Sequence, residues 1–304
     1  MLKKYFILVA CVLFIVGCGS QEEVTSFATS TELANQVGEL MASIDESYGS
    51  TGSVLNVDQA QDQSLLNNEL LFLEKISPEP LSSAVVRKFI PAAQAASCFG
   101  QAYSACSSNA TTRTFGGCTL GAANFTGNVT MTWPNSGNTC AEVGGANIVR
   151  RNPNFTVTRG AASLGVSKTG TNGQEMSWTQ GTNPKTVTYT SDGIRRTVSL
   201  EGAVVYDVTT TTVGSIVMSG TARIGRRIQS GTLRFTNNLT NEVCDITPTN
   251  VVWSSNCTCA TAGSWSGNCS ANGAFNVTVT SCGAGSVTYN GQSRSVTFDR
   301  CSGS

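Results

Sequence analysis

Histidine does not occur anywhere in the 304 residues. Its absence removes the commonest general base, the Ser-His and Cys-His dyads and the commonest metal ligand together. It is the strongest argument in the sequence against a hydrolase. Charge is scarce as well: Lys, Arg, Asp and Glu make up 12% of the chain. The polar load falls instead on Ser, Thr, Asn and Gly, the usage of solvated strands and turns rather than of a helical cytosolic enzyme. There is no G-x-S-x-G elbow, Walker A loop or Rossmann glycine signature. None of Lys75, Lys88, Lys168 and Lys185 has a serine three residues before it, and no C-x-x-C pair occurs. Two carboxylates can cleave glycans without histidine, so glycan hydrolysis is the one enzyme class left open. Its candidates are Glu142, Glu175, Asp192, Glu201, Asp207, Glu242, Asp245 and Asp299, and their spacing selects no pair.

What the chain does have is a distinctive beginning. Lys3 and Lys4 precede an apolar run at residues 5–16, which has the layout of a secretory signal and is too short to span a bilayer. The run closes on Ile15-Val16-Gly17-Cys18. That ending resembles the lipobox of bacterial lipoproteins, in which an aliphatic residue and small residues precede the cysteine to be lipidated. The resemblance implies that residues 1–17 are removed as a signal peptide. It also implies that Cys18 carries a diacylglycerol on its thiol and an N-acyl chain such as palmitate. In Gram-negative members of that class an aspartate after the cysteine retains the protein at the inner membrane. Gly19 stands there instead, which implies delivery to the outer membrane, facing the periplasm or the cell surface. Membrane lipid is then the first partner, and no cofactor beyond the covalent lipid is expected.

Of the twelve cysteines, Cys11 leaves with the signal and Cys18 takes the lipid. Ten remain: Cys98, Cys106, Cys118, Cys140, Cys244, Cys257, Cys259, Cys269, Cys282 and Cys301. An even number in an exported chain reads as a disulfide framework. The close spacing of Cys257 and Cys259 raises zinc as the alternative. With neither histidine nor a C-x-x-C pair, and with export to an oxidising compartment, disulfides are the expected state and no metal is expected. Proximity favours Cys98 with Cys106 and Cys118 with Cys140, and leaves the last six to pair among themselves.

Composition divides the mature chain into three. Residues 18–30 are the lipidated cysteine and a polar tether. Residues 31–97 form an acidic helical segment: between residues 19 and 97 eleven acidic residues face three basic ones, whereas from residue 98 fourteen basic residues face eight acidic ones. Thr29-Ser30-Thr31-Glu32 has the pattern of a capping box. Leu33, Val37, Leu40, Met41 and Ile44 follow at helical spacing as one packing stripe. Two more helical runs, at 62–76 and 81–96, are stopped or broken by Pro78, Pro80 and Pro91.

Residues 98–304 change period to two. In the segment 125–133, Phe125, Val129, Met131 and Trp133 alternate with Thr and Asn, and the pattern returns around Phe155, Val198, Leu233, Phe275 and Val296. The expected fold is mainly β, a disulfide-stapled antiparallel β-sandwich or small barrel preceded by a short α-helical segment. VTYTSDGIRRTV at 187–198 and VTYNGQSRSV at 287–296 read as hairpins turning at Asp192-Gly193 and Asn290-Gly291, dipeptides that accept positive φ. Alternation alone does not say which face is dry, because a transmembrane barrel alternates too. Expected strands of five to eight residues, the lack of an aromatic girdle and the spread of cysteines argue against that form. The pairs Arg150-Arg151, Arg195-Arg196 and Arg226-Arg227 each place at most one guanidinium on a given face. They read as solvated strand edges that discourage edge-to-edge pairing. Trp253 and Trp265 lie among the last cysteines, either packed on a disulfide or at the surface.

These features lead to the expectation of a lipid-anchored cell-envelope lipoprotein, not an enzyme, acting as a binding or structural module for an envelope protein or glycan. The alternatives are the carboxylate-dependent envelope glycan hydrolase and an apolar-ligand carrier with a hollow barrel. Nucleic acid is not an expected partner of an exported, neutral chain. Cys18→Ser removes the thiol that the modifying enzyme needs, so this variant is expected to accumulate as an unlipidated, uncleaved precursor. Detergent phase partition and N-terminal mass check this, and normal membrane partition of the variant would show that the first twenty residues have another role.

Overall fold

The computed structural model describes Ala34, Val37, Gly38, Met41, residues 103–181, 186–220 and 224–298, and Cys301. Within these residues the alternating sequences form sixteen strands. The first eight are β1 (Ala110–Leu120), β2 (Ala123–Thr132), β3 (Ala146–Arg159), β4 (Ala162–Lys168), β5 (Gln174–Thr179), β6 (Thr186–Ser191), β7 (Ile194–Leu200) and β8 (Ala203–Thr212). The second eight are β9 (Ile216–Ser219), β10 (Arg227–Ser230), β11 (Leu233–Asn237), β12 (Glu242–Trp253), β13 (Ala260–Cys269), β14 (Gly273–Ser281), β15 (Ala284–Tyr289) and β16 (Gln292–Thr297). Side chains on a strand point alternately to its two faces, so a period-two sequence gives each strand a dry and a wet side. On β2, Phe125, Val129 and Met131 are buried, and on β14 so are Phe275, Val277 and Val279. The dry side is the inner one, the reverse of a transmembrane barrel. Strand length is not what decides this, because β3 has 14 residues and β12 has 12, longer than the sequence pattern suggested.

All sixteen strands belong to one antiparallel sheet. Four consecutive pairs of strands lie end to end in it. β4 and β5 share one edge of β3, with β4 pairing from Asn154↔Ser167 to Arg159↔Ala162 and β5 from Ala146↔Thr179 to Arg151↔Gln174. β10 and β11 keep a single register on β12, with Arg227 opposite Val252 and Leu233 opposite Ile246. Hydrogen bonds bridge the breaks: Thr169 N–H donates to the Gly193 carbonyl at 2.9 Å, Asp192 N–H to Gly173 at 3.2 Å and Val213 N–H to Thr232 at 2.8 Å. The sheet is therefore an up-and-down meander with a seam of interruptions across its middle, flanked by Pro153 in β3 and Pro248 in β12. Proline has no amide to give a ladder. The ring of pairings β3-β4-β7-β8-β11-β12-β10-β9-β6-β5 encircles this seam. The expected disulfide-stapled antiparallel β class is met by one continuous, ring-like sheet around a single buried core.

The seam corrects one expectation. Asp192-Gly193 does not close a hairpin: β6 pairs with β5 and β9, whereas β7 pairs with β4 and β8. The backbone freedom that suits a tight turn serves here as a kink within one line of the sheet. Asn290-Gly291, with φ of 50° and 74°, does turn β15 into β16 and closes on Tyr289↔Gln292.

The core is one connected cluster drawn from every strand from β1 to β15, together with Phe298. Ala34, Val37, Gly38 and Met41 are helical and buried. They stand at i, i+3, i+4 and i+7, a single helical face. Val37 and Met41 belong to the expected stripe; Leu33, Leu40, Ile44, the capping box and the runs at 62–76 and 81–96 lie outside the described residues. Gly38 lets this helix approach the C-terminal hairpin closely, since a Cβ there would stand 3.2 Å from the Cβ of Phe298. Gly285 on β15 does the same from the other side, at 2.8 Å from the ring. The Phe298 ring is thus held between two bare backbones.

Disulfides join Cys106–Cys140, Cys244–Cys269, Cys257–Cys282 and Cys259–Cys301. Cys118 is disulfide-bonded too, and Cys98 lies outside the described residues. The last six cysteines pair among themselves as expected, but the nearest-neighbour pairings Cys98–Cys106 and Cys118–Cys140 are overturned. The β1–β2 hairpin explains why: Ala110 lies opposite Thr132, so the chain before β1 meets the chain after β2, and a separation of 34 residues closes. Cys244 and Cys269 face each other directly across β12 and β13. Trp253 and Trp265 are buried rather than at the surface.

Gly231, with φ of 131°, is a seam position closed in by backbone: a Cβ would fall 2.7 Å from Ile216 Cα and 2.8 Å from the Ser215 carbonyl. Gly231→Val is expected to destabilise the oxidised protein by about 3 kcal/mol. Equilibrium urea unfolding measures it, and an unchanged midpoint would show that the seam tolerates a side chain.

Candidate functional site

Arginine and carboxylate are the sparse resource of this sheet, and their placement shows what the charged groups are used for. On the outer face, Arg150 Nε donates to Glu175 Oε2 at 2.7 Å, between directly opposed residues of β3 and β5. Arg234 holds Asp245 through two bonds, Nε to Oδ1 and Nη2 to Oδ2, each 2.8 Å. Arg195 does the same to Asp207, with Nε to Oδ1 at 2.8 Å and Nη2 to Oδ2. Asn238 Nδ2 adds a third donor to Asp207 at 2.8 Å. Such two-pronged contacts are the strong form of the arginine–carboxylate pair. The Arg195 bonds hold the Asp207 carboxyl below the usual carboxylate range against the opposing effect of burial, and Arg234 does likewise to Asp245.

The remaining candidate acids have local tasks. Glu142 Oε1 accepts from the Trp178 indole N–H at 2.6 Å, and Asp192 Oδ2 from the Asn172 backbone N–H at 2.7 Å. Glu242 is buried and accepts from Asn272 Nδ2. Glu201 occupies the turn between β7 and β8, at φ 51°. Asp299 lies outside the described residues, as does Cys18. A glycosidase acid must be held protonated, with a raised pKa; Asp207 and Asp245 are pushed the opposite way.

The arginine pairs depart from the solvated-edge expectation. One member of each pair faces outward, as strand alternation requires, but Arg151, Arg196 and Arg226 are buried. Arg151 Nη1 donates to Gln174 Oε1 at 3.1 Å, and Gln174 Nε2 donates to the Tyr189 hydroxyl at 3.1 Å. Burial pushes the Tyr189 phenol up, opposed by hydrogen bonds from Gln174 and Ser191 and by the charges of Arg196 and Arg151. The layer satisfies its own members in the interior, as buried polar side chains require. The Arg226 guanidinium lies 5.9 Å from the centroid of the Trp253 ring, within cation–π range. The phase of the flanking strand carries the signal that separates the inward arginines from the outward ones: Arg151 is in step with Val149 and Phe155, and Arg196 with Ile194 and Val198.

Glu242, Cys244 and Cys269 bring three potential metal donors within 4.8 Å of one another. The two sulfurs are bonded to each other, so the trio offers no thiolate while the bridge stands. Comparison with models of known protein families, with curated proteins and with solved structures finds no match in any of the three.

Because the folded Asp207 carboxyl has a lowered pKa, its contribution to stability is present above the unfolded value of about 3.9 and is lost as pH falls through the folded value. The melting temperature is expected to fall as pH drops from about 5 towards 2. Asp207→Asn should cost about 1 kcal/mol at pH 7, given the exposed Arg195 partner, and should fall less steeply with acid. Parallel pH profiles of the two proteins would sink this assignment of Asp207.

Proposed function

We propose that this protein is a lipid-anchored lipoprotein of the cell envelope that works as a non-catalytic binding or structural module at the outer membrane. The lipobox-like ending at Ile15-Val16-Gly17-Cys18 and Gly19 after it support the anchor and its destination. The disulfide bonds at nine described cysteines suit an exported chain. The observation that carries the non-catalytic reading is the use of the carboxylates. Six of them, Glu142, Glu175, Asp192, Asp207, Glu242 and Asp245, accept hydrogen bonds from groups that build the sheet or its loops. A general acid or nucleophile must instead be kept for the substrate.

In this reading a stapled, ring-like sheet presents its outer side to an envelope partner while the lipid on Cys18 keeps it at the membrane. The fully buried Trp265, Phe125, Leu120 and Phe298 fill the inner side, which favours recognition on the outside over carriage of an apolar ligand within.

Intact mass of the membrane-extracted protein is expected to begin at Cys18 with added acyl chains, and ten further thiols are expected only after reduction. The same preparation should release no product from glycan or ester substrates. Turnover that disappears when a single carboxylate is replaced by its amide would overturn the non-catalytic reading, and a soluble product with free thiols would overturn the anchor.

A further inference from the structure

The outer face of β1 to β4 differs from the rest of the sheet. Thr114, Asn128, Asn154 and Ser167 stand opposite one another across the four strands, and Thr126 faces Thr156 in the next row. Rows of this kind repeat about every 6.8 Å along the strands and about every 4.8 Å across them. Thr114, Thr126 and Asn154 are exposed and the other three are half-buried. Among the described residues none of the six spends its side chain on a bond within the protein, in contrast to Thr112 and Thr130, which bond each other at 3.1 Å. By strand alternation the outward positions of β1 to β4 include no aromatic residue and one charge, Arg150 at the end of the face, already held by Glu175; Lys168, exposed at the end of β4 beside Ser167, donates to the Thr171 carbonyl at 2.8 Å. The charged pairs Arg195–Asp207 and Arg234–Asp245 lie beyond it, on β7, β8, β11 and β12.

This chemistry narrows the partner. A protein partner draws on aromatic, Met or Arg anchors. Nucleic acid and acidic glycans require clustered Lys or Arg, and a membrane surface requires apolar or basic side chains. What matches a flat, uncharged lattice of hydroxyls and amides is a ligand whose groups also both donate and accept, without charge. We propose that the outer face of β1 to β4 binds a neutral, hydroxyl-rich polysaccharide, laid flat across the rows. The proposal rests on the binding-module reading and names its partner class. Each exchanged hydrogen bond contributes little net, so the affinity comes from many rows engaging one polymer and rises with its length.

Full-length, membrane-extracted protein in detergent is passed over cellulose and agarose beads, and over alginate beads as the acidic comparison. Retention is expected on at least one neutral support, undiminished between low and high salt, and weakened by soluble oligosaccharide in proportion to its length. Thr114→Glu with Thr156→Glu, two exposed or half-buried positions that do not face each other, should reduce retention about tenfold or more by setting unpaired charge against neutral hydroxyls. Thr156→Ser should keep it, and the melting temperatures of both variants should match the parent. No retention on either neutral support, equal retention by the double Glu variant, or stronger, salt-sensitive retention on alginate overturns the proposal and leaves the lipid-anchored module untouched. Release of reducing ends from the beads would overturn the non-catalytic reading while leaving the surface assignment in place.

Discussion

One constraint shapes the molecule: a long antiparallel sheet with a single dry face has to hide that face. Helical domains bury such a surface against other helices, and two-sheet proteins bury it against a second sheet. Here one meander supplies both sides. It does so by interrupting four of its lines at matching places, so that β4/β5, β6/β7, β8/β9 and β10/β11 break along one seam while β3 and β12 run through on either side. A ladder broken in one strand would only weaken the sheet. Broken in register across several strands, it leaves a ring of pairings around the interruption. The N-terminal helical face, through Gly38 against Phe298, adds cover at the end farthest from the seam in the chain.

The same constraint explains the distribution of charge. The inner face is not wholly apolar: Arg151, Gln174 and Tyr189 are buried and hydrogen-bonded to one another in a chain. Outside, arginine and carboxylate meet across neighbouring strands and tie those strands together, so the few charges act as cross-links rather than as a field. Arg113 belongs to a different problem. It points inward from β1, an outer strand of the sheet that also carries a bulge between Gly116 and Cys118. An inward charge and a bulge are both devices that keep an edge strand from templating further strands, which an uncharged, threonine-rich edge would otherwise invite.

The disulfides complete this logic at the ends of the meander. Cys257–Cys282 and Cys259–Cys301 gather the β12–β13 connection, the β14–β15 turn and the end of the chain into one knot, and Cys106–Cys140 closes the mouth of the first hairpin. Cross-links restrict the unfolded chain as well as the folded one.

Much of this was legible in the residues alone. Alternation of Phe, Val and Trp with Thr and Asn determined that the described chain from Ala110 onward is β, and the spacing of Val37 and Met41 marked a helix. An even set of cysteines without histidine determined that they would pair. The Asn290-Gly291 turn could be read locally because a two-residue hairpin depends only on its own φ angles. Other features were decided by contacts distant in sequence. Asp192-Gly193 carries the same turn chemistry but lies between strands whose partners are elsewhere, so only the sheet decided that it is a kink. The Cys106–Cys140 bridge depends on a hairpin that brings its ends together. Periodicity reports which residues share a face. It carries no information about which strands lie side by side, and contacts between residues far apart in sequence decided where the sheet is interrupted and which cysteines meet.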